Sequence, residues 1–173
     1  VDPASGRELA PDQQGELCTR GFLMKEYYKM PAATAAAVDR DRWFHTGDLG
    51  YRDSDGFFFV TDRKKDLIIR GGFNISPREV EEVLMLHENI ADAAVVAAKD
   101  KRGEELVKAF VVLKGGAQMN QADVIEHCSA NMAPYKRPRV VQFVESLPKS
   151  ATGKVLRNEL RGEAEDRRLV ERE

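Results

Sequence analysis

The sequence predicts an α+β protein in two parts. A β-rich segment spans residues 1–64, and a small domain with a mixed sheet and packed helices spans 65–173. Three observations predict this. Two apolar, β-branched-rich runs at 90–98 and 106–113 read as strands. Segments with helical spacing and helix-start residues alternate with them. The charged block Arg63-Lys64-Lys65-Asp66 stands between two apolar runs and marks a candidate boundary.

Residues 15–21 (GELCTRG) form the first strand candidate, with Cys18 as a strand residue. Residues 30–42 have Ala-rich helical character after Pro31. Residues 48–52 and 57–62 read as two strands joined by Asp53-Ser54-Asp55-Gly56. Asp-Gly between apolar runs signals a hairpin, because the turn needs positive φ. Past the charged block, residues 67–70 form a short strand that ends at Gly71-Gly72. Ser76 reads as an N-cap and Pro77 as the first turn of a helix, followed by Glu79, Glu81 and Glu82. Proline and acids there suit the unsatisfied N–H groups and the helix dipole. Val80, Val83, Leu84 and His87 share one helical face. Residues 120–130 form a second helix of this domain, with Val124, Ile125 and Cys128 as its buried stripe. Residues 139–144 supply a third strand of this domain. A last helix starts over 155–161, becomes densely charged after Gly162, and is expected to fray toward Glu173.

Composition narrows the function. The 173 residues suffice for one ordinary domain, or a small domain plus part of another. A formal net charge of −2 gives no electrostatic support to a nucleic-acid partner. Cys18 and Cys128 stand alone without CxxC spacing, which argues against a disulfide framework or a zinc site and for a reducing cytoplasm. His45, His87 and His127 lack ligand spacing and read as ordinary core or surface histidines, so no metal site is expected. No apolar run approaches the roughly 20 residues of a membrane span, and no signal segment opens the chain. The chain begins Val1-Asp2-Pro3 without an initiator Met, which fits a fragment and equally fits tag removal or processing.

Four segments carry candidate chemistry. In Trp43-Phe44-His45-Thr46-Gly47-Asp48, an Asp fixed after a Gly can accept hydrogen bonds from ribose hydroxyls; standing alone, such a segment is more often an ordinary turn. Residues 61–81 combine a charged linker, a strand, a double-Gly turn and a proline-started helix. The glycines let backbone approach a ligand closely, and the helix start offers N–H groups to anions. Alone, this is also a charged loop before a helix. In Tyr135-Lys136-Arg137-Pro138-Arg139, one aromatic with three cations can stack on a base and hold phosphates, or be a solvated surface loop. Residues 148–157 (PKSATGKVLR) present Lys154 from a flexible loop of small residues just before a helix. Such an ammonium can enter a site, neutralise growing negative charge and leave. The glycine spacing is not that of a GxxxxGK[ST] phosphate loop.

Taken together, the order and spacing of these segments, from GELCTRG to GKVLR, resemble the C-terminal part of the adenylate-forming enzymes: acyl-CoA synthetases, luciferases and peptide-synthetase adenylation domains. The resemblance implies that residues 1–64 end a large N-terminal domain and that 65–173 form a mobile lid. It implies ATP with Mg2+, bound mainly by the N-terminal domain, and CoA as co-substrate. By matching position, Lys154 is implied as the adenylation lysine, Asp48 as the ribose carboxylate, and Arg63 as a ribose or phosphate contact. Lys65 falls at the hinge. Gly72 and Asn74 lie in the loop that reaches the acyl site during thioester formation. Tyr135, Arg137 and Arg139 match a pattern that holds CoA in some members. The implied partners are a carboxylic acid, CoA and the N-terminal domain itself. Phe73 and residues 22–30 resemble fatty-acyl-CoA ligases, so a medium- or long-chain fatty acid is the expected acid, with aryl acids open. The family's glycine- and hydroxyl-rich ATP loop is not in this sequence, so the chain alone is expected to be inactive. Strand edges left by the cut would allow a homodimer. Two alternatives stand beside this reading: the tail of a carrier-loading amino-acid adenylation domain, and a CoA-binding module without adenylation.

Overall fold

The computed structural model describes residues 1–166, with only the backbone of Glu165 and Asp166. The charged tail expected beyond them lies outside the described residues. The chain divides into two compact units, Val1–Lys65 and Asp66–Glu173.

The first unit is an antiparallel sheet of β1 (Gly15–Thr19), β2 (Phe44–Arg52) and β3 (Phe58–Arg63), in that order. The helix α1 (Pro31–Ala37) precedes β2. It is shorter than the Ala-rich segment suggests. Val38 already has extended backbone and bridges to Phe44, so pairing with β2 takes over the chain that propensity alone would leave helical. β2 also starts four residues earlier than predicted. His45-Thr46-Gly47-Asp48 is therefore strand, and Asp48 sits directly opposite Arg63 on β3. The turn between β2 and β3 follows the sequence. The Asp53 carboxylate accepts the amides of Asp55 (3.0 Å) and Phe57 (2.8 Å), closing the loop from inside.

The second unit begins with a hairpin, β4 (Ile68–Arg70) and β5 (Phe73–Ile75). Gly71 and Gly72 form its turn at φ 55° and 81°, a region that side chains with a Cβ resist. The second strand of this hairpin is not visible in the sequence pattern. Then comes α2 (Pro77–Met85), capped as expected: Ser76 Oγ accepts the Glu79 amide at 3.0 Å. His87 lies past its end rather than on its face. The main sheet is mixed. β6 (Ile90–Lys99) runs antiparallel to β7 (Glu105–Leu113), and β8 (Val140–Phe143) runs parallel to β7. α3 (Gln121–Asn131) starts at a capping box formed by Asn120 and Asp123. α4 (Arg157–Asp166) ends the described chain.

The sheet is covered on both faces, which explains the nearly continuous apolar character of β6 and β7. Ala93, Val95, Val107, Ala109, Val111 and Val141 pack on one side with the β4–β5 hairpin, α2 and α3, through Ile68, Ile75, Val80, Leu84, Val124 and Cys128. Ala94, Val96, Ala98, Leu106 and Phe110 pack on the other with Leu147 and with Leu160 and Ala164 of α4. Alternation along each strand assigns the residues to the two layers. Lys108 is a buried lysine on β7, 1% exposed, and its Nζ sits 4.7 Å from the centre of the Phe110 ring.

Candidate functional site

In the first unit the cross-strand register joins two predicted site residues. Arg63 Nε donates to Asp48 Oδ1 at 2.8 Å. The neighbouring concavity, about 320 Å³, is lined by Thr46, Gly47, Arg63, Lys64 and Lys65. Thr46 Oγ1 donates to the Leu17 carbonyl (2.7 Å) and accepts the Asp48 amide (3.0 Å), which fixes the backbone at Asp48. Beside this lies a polar cluster that sequence reading missed. Glu16 is 4% exposed, and its Oε2 meets Lys64 Nζ at 3.1 Å and His45 Nδ1 at 3.3 Å. Burial pushes the Glu16 carboxyl up, but its bonds to Lys64 and His45 outweigh that and hold it below its usual value. A lone Glu inside a strand looks solvent-facing in sequence; its partners stand 29 and 48 residues away. Cys18 Sγ lies 3.5 Å from His45 Nδ1, and burial, followed by the Glu16 charge, raises its pKa, so it is held as thiol.

Lys65 belongs to a single turn of 3₁₀ helix, Lys64–Asp66, between β3 and β4. Asp66 is anchored to α4 by Arg161 Nη2 at 2.7 Å.

On one side of the main sheet the β4–β5 hairpin carries Gly72 and Asn74, both exposed. Phe73 at its tip stacks on Tyr135, with ring centroids 4.5 Å apart and planes 23° from parallel. Two further contacts brace this side. Ile69 N–H donates to Glu105 Oε2 at 2.6 Å, tying β4 to the start of β7. Lys136 Nζ donates to Glu79 Oε2 at 2.7 Å, and that bond raises the Lys136 pKa. Tyr135 and Lys136 lie in a 3₁₀ turn, Pro134–Lys136, where the sequence offered a plain loop. The predicted cations here are not equivalent. Arg139 is exposed. Arg137 turns inward and donates to the carbonyls of Ser129 (3.2 Å) and Met132 (3.4 Å), closing the C-terminal end of α3. Its guanidinium is occupied by the fold.

Lys154 lies on the opposite side, in the segment between Leu147 and α4. The flexible loop expected from its small residues is a closed turn. Ser150 N–H donates to the Lys154 carbonyl (2.8 Å), Gly153 N–H to the Ser150 carbonyl (2.9 Å), and Lys154 N–H to Ser150 Oγ (3.2 Å). Gly153 supplies the positive φ, 79°, that the turn requires. Lys149 Nζ anchors the turn to Asp92 of β6 at 2.6 Å. The turn therefore presents the Lys154 ammonium, itself exposed, from a fixed frame.

The structure thus pairs Asp48 with Arg63 and gathers Gly72, Asn74 and Tyr135 on one side of the sheet. It puts Lys154 in the other layer and commits Arg137 to packing. Among the described residues, no helix is long and apolar enough to cross a membrane.

Residues 79–154 match the model of the AMP-binding enzyme C-terminal domain. The chain is 46% identical over 162 residues to 4-coumarate:CoA ligase 1 of Petunia hybrida, covering 93% of this chain and 30% of that protein. It is 47% identical over 157 residues to a long-chain-fatty-acid–CoA ligase of Bacillus subtilis, covering 90% and 28%. The chain thus spans about a third or less of the length of the relatives it matches. Among solved structures, ATP-bound MatB from Rhodopseudomonas palustris superposes with a TM-score of 0.89 at 35% identity, over 96% of this chain and 33% of that one. The o-succinylbenzoate CoA synthetase of Bacillus subtilis, in complex with its acyl-adenylate intermediate, gives 0.76 at 38% identity, over 90% and 32%.

Proposed function

This chain carries the C-terminal domain of the adenylate-forming, AMP-binding enzymes, and from that premise we propose that it serves an ATP-dependent acid–CoA ligase. A carboxylate attacks the α-phosphate of ATP, giving acyl-AMP and pyrophosphate. The CoA thiol then attacks the acyl carbonyl; the thioester forms, AMP leaves, and the thiol proton is released.

Each residue has a role in this scheme. Lys154 bridges the carboxylate and the α-phosphate oxygens, orienting the attack and stabilising the charge of the transition state. Asp48 accepts the ribose hydroxyls of the nucleotide. Its ion pair with Arg63 holds both side chains ready, and the arginine turns to ribose or phosphate. ATP brings its Mg2+, whose ligands belong to the ATP-binding domain. In the second step the Gly72–Asn74 turn reaches the acyl site. Tyr135 stacks on the CoA adenine and Arg139 meets its phosphates. Arg137 reaches CoA only by leaving the α3 carbonyls, so its first task is to hold that helix end. Lys65 is the hinge about which the domain changes orientation between the two steps.

The observation that carries this reading is the placement of the Lys154 turn and the Gly72 hairpin in opposite layers of one sheet. A single site meets one of them at a time, as a two-step reaction with different needs requires. The acid itself is open within the class of carboxylates. We favour a medium- or long-chain fatty acid, from Phe73 and residues 22–30. An aryl acid is the second reading, favoured by the equal likeness to a coumarate ligase. A cytoplasmic location goes with either.

The test is AMP release by the full-length enzyme across acids from acetate to palmitate, with benzoates, cinnamates and amino acids, each with and without CoA. CoA-dependent release peaking with a fatty acid is expected. A peak with a hydroxycinnamate moves the substrate to the aryl class. Turnover with amino acids alone, indifferent to CoA, overturns the CoA assignments of Tyr135 and Arg139.

A further inference from the structure

We propose that Glu81 and Arg157 are positioning residues for the adenylation step, acting through Lys154. The inference rests on the reading of Lys154 given above. It starts from an ion pair that crosses the free edge of the main sheet. Arg157 is the first residue of α4 and stands three residues after Lys154. Its Nη2 donates to both oxygens of Glu81, at 2.8 Å and 2.6 Å. Glu81 lies on α2, in the layer on the other side of the sheet. β6 is an edge strand, and the same Glu81 Oε1 accepts the outward-facing amide of Val95 at 2.8 Å. One carboxylate therefore satisfies an edge amide and clamps the start of α4 against α2.

Three features separate this from an ordinary surface pair. Both side chains are largely buried, 25% and 15% exposed, where water screens little. Arg157 Nε is buried without a hydrogen-bond partner, so the guanidinium is held by its Nη2 contacts at the expense of another donor. And the clamp fixes the C-terminal end of the segment whose N-terminal end is fixed by Lys149 and Asp92. The Lys154 turn is thus held at both ends. Loss of either hold would let the ammonium drift from the geometry that its step needs, and a displacement of about 1 Å costs on the order of 10²-fold in rate.

The test pairs two variants with two readouts. Glu81→Gln keeps an acceptor for the Val95 amide and removes the charge. Arg157→Lys keeps the charge and removes the planar fork. In the full-length enzyme, adenylation is read by ATP–pyrophosphate exchange and thioester formation from supplied acyl-AMP. Glu81→Gln is expected to lower adenylation about 10-fold, with Arg157→Lys losing less. Thioester formation and the KM for ATP stay near wild type. Parallel loss in both steps, or loss in neither, overturns the proposal. Lys154→Ala runs alongside: if it leaves adenylation intact, the reading of Lys154 has failed instead. Hydrogen exchange on this chain decides the positioning independently of catalysis. The Gly153 and Lys154 amides should exchange about 10-fold faster in Glu81→Gln while β7 amides keep their protection. Unchanged exchange at those two amides would refute the clamp.

Discussion

The Lys154 turn and the Gly72 hairpin hang from the same sheet and are held by different chemistry. The Lys154 turn closes on itself through Ser150 and is pinned at its flanks by two ion pairs, Lys149–Asp92 and Arg157–Glu81. The hairpin turns on two glycines at positive φ and is steadied at its tip by the stack of Phe73 on Tyr135. Ion pairs flank the first turn, and an aromatic stack steadies the tip of the second. A lysine that must meet a phosphate needs a fixed point charge, so a polar frame that resists displacement suits it. A loop that admits a thiol to an acyl group needs room near backbone, which glycine provides. Both loops are braced, and in the proposed scheme the change between the two steps falls on the hinge at Lys65 rather than on loop flexibility.

The largest expected effect comes from breaking the charged side. Lys154→Ala should lower ATP–pyrophosphate exchange by on the order of 10²-fold or more while sparing thioester formation from supplied acyl-AMP. Next is the shape side. Gly72→Val forces a β-branched residue to φ 81° and should lower thioester formation roughly 10-fold, through about 1–3 kcal/mol of backbone strain. Exchange of pyrophosphate should change little. Tyr135→Ala removes the stacking partner of Phe73, a contact of about 0.5–1.5 kcal/mol, and should raise the KM for CoA several-fold without touching that for ATP.

The smallest effect is a pH dependence confined to the hairpin side. The bond to Glu79 raises the pKa of Lys136 above its usual 10.5. A raised cation pKa contributes stability that is fully present below the unfolded value and is lost as pH rises through the folded one. The wild-type melting temperature should therefore fall more above pH 10.5 than that of Glu79→Gln. The pair is partly exposed, so the difference should stay under about 1 kcal/mol. Equal alkaline slopes for the two proteins would remove this brace from the account.

The sequence made much of this comparison visible, and its omissions share one cause. Ser76-Pro77 announced α2, Asp53 to Gly56 announced the first-unit hairpin, and the apolar runs announced β6 and β7, because each signal is local. The motif around Lys154 was also local. Its small residues suggested a loose loop, because Ser150 serving both as backbone donor and as side-chain acceptor cannot be read from composition. The long-range charge partners were hidden altogether. Glu81 looked like one of three acids in a first turn, and its partner Arg157 lies 76 residues on. Arg137 looked like a phosphate ligand because Tyr-Lys-Arg-Pro-Arg reads as a cationic cluster; the open carbonyls at the end of α3 claim it instead. Lys108 sat unnoticed in an apolar run, since one charge does not break a strand pattern.

In the proposed scheme the two layers of one sheet serve two successive steps. This is tested most directly by measuring both half-reactions, separately, in Lys154→Ala and Gly72→Val of the full-length enzyme. A crossed result is expected: Lys154→Ala loses adenylation and keeps thioester formation, and Gly72→Val does the reverse. Parallel losses, with both variants failing in the same half-reaction or equally in both, would contradict it.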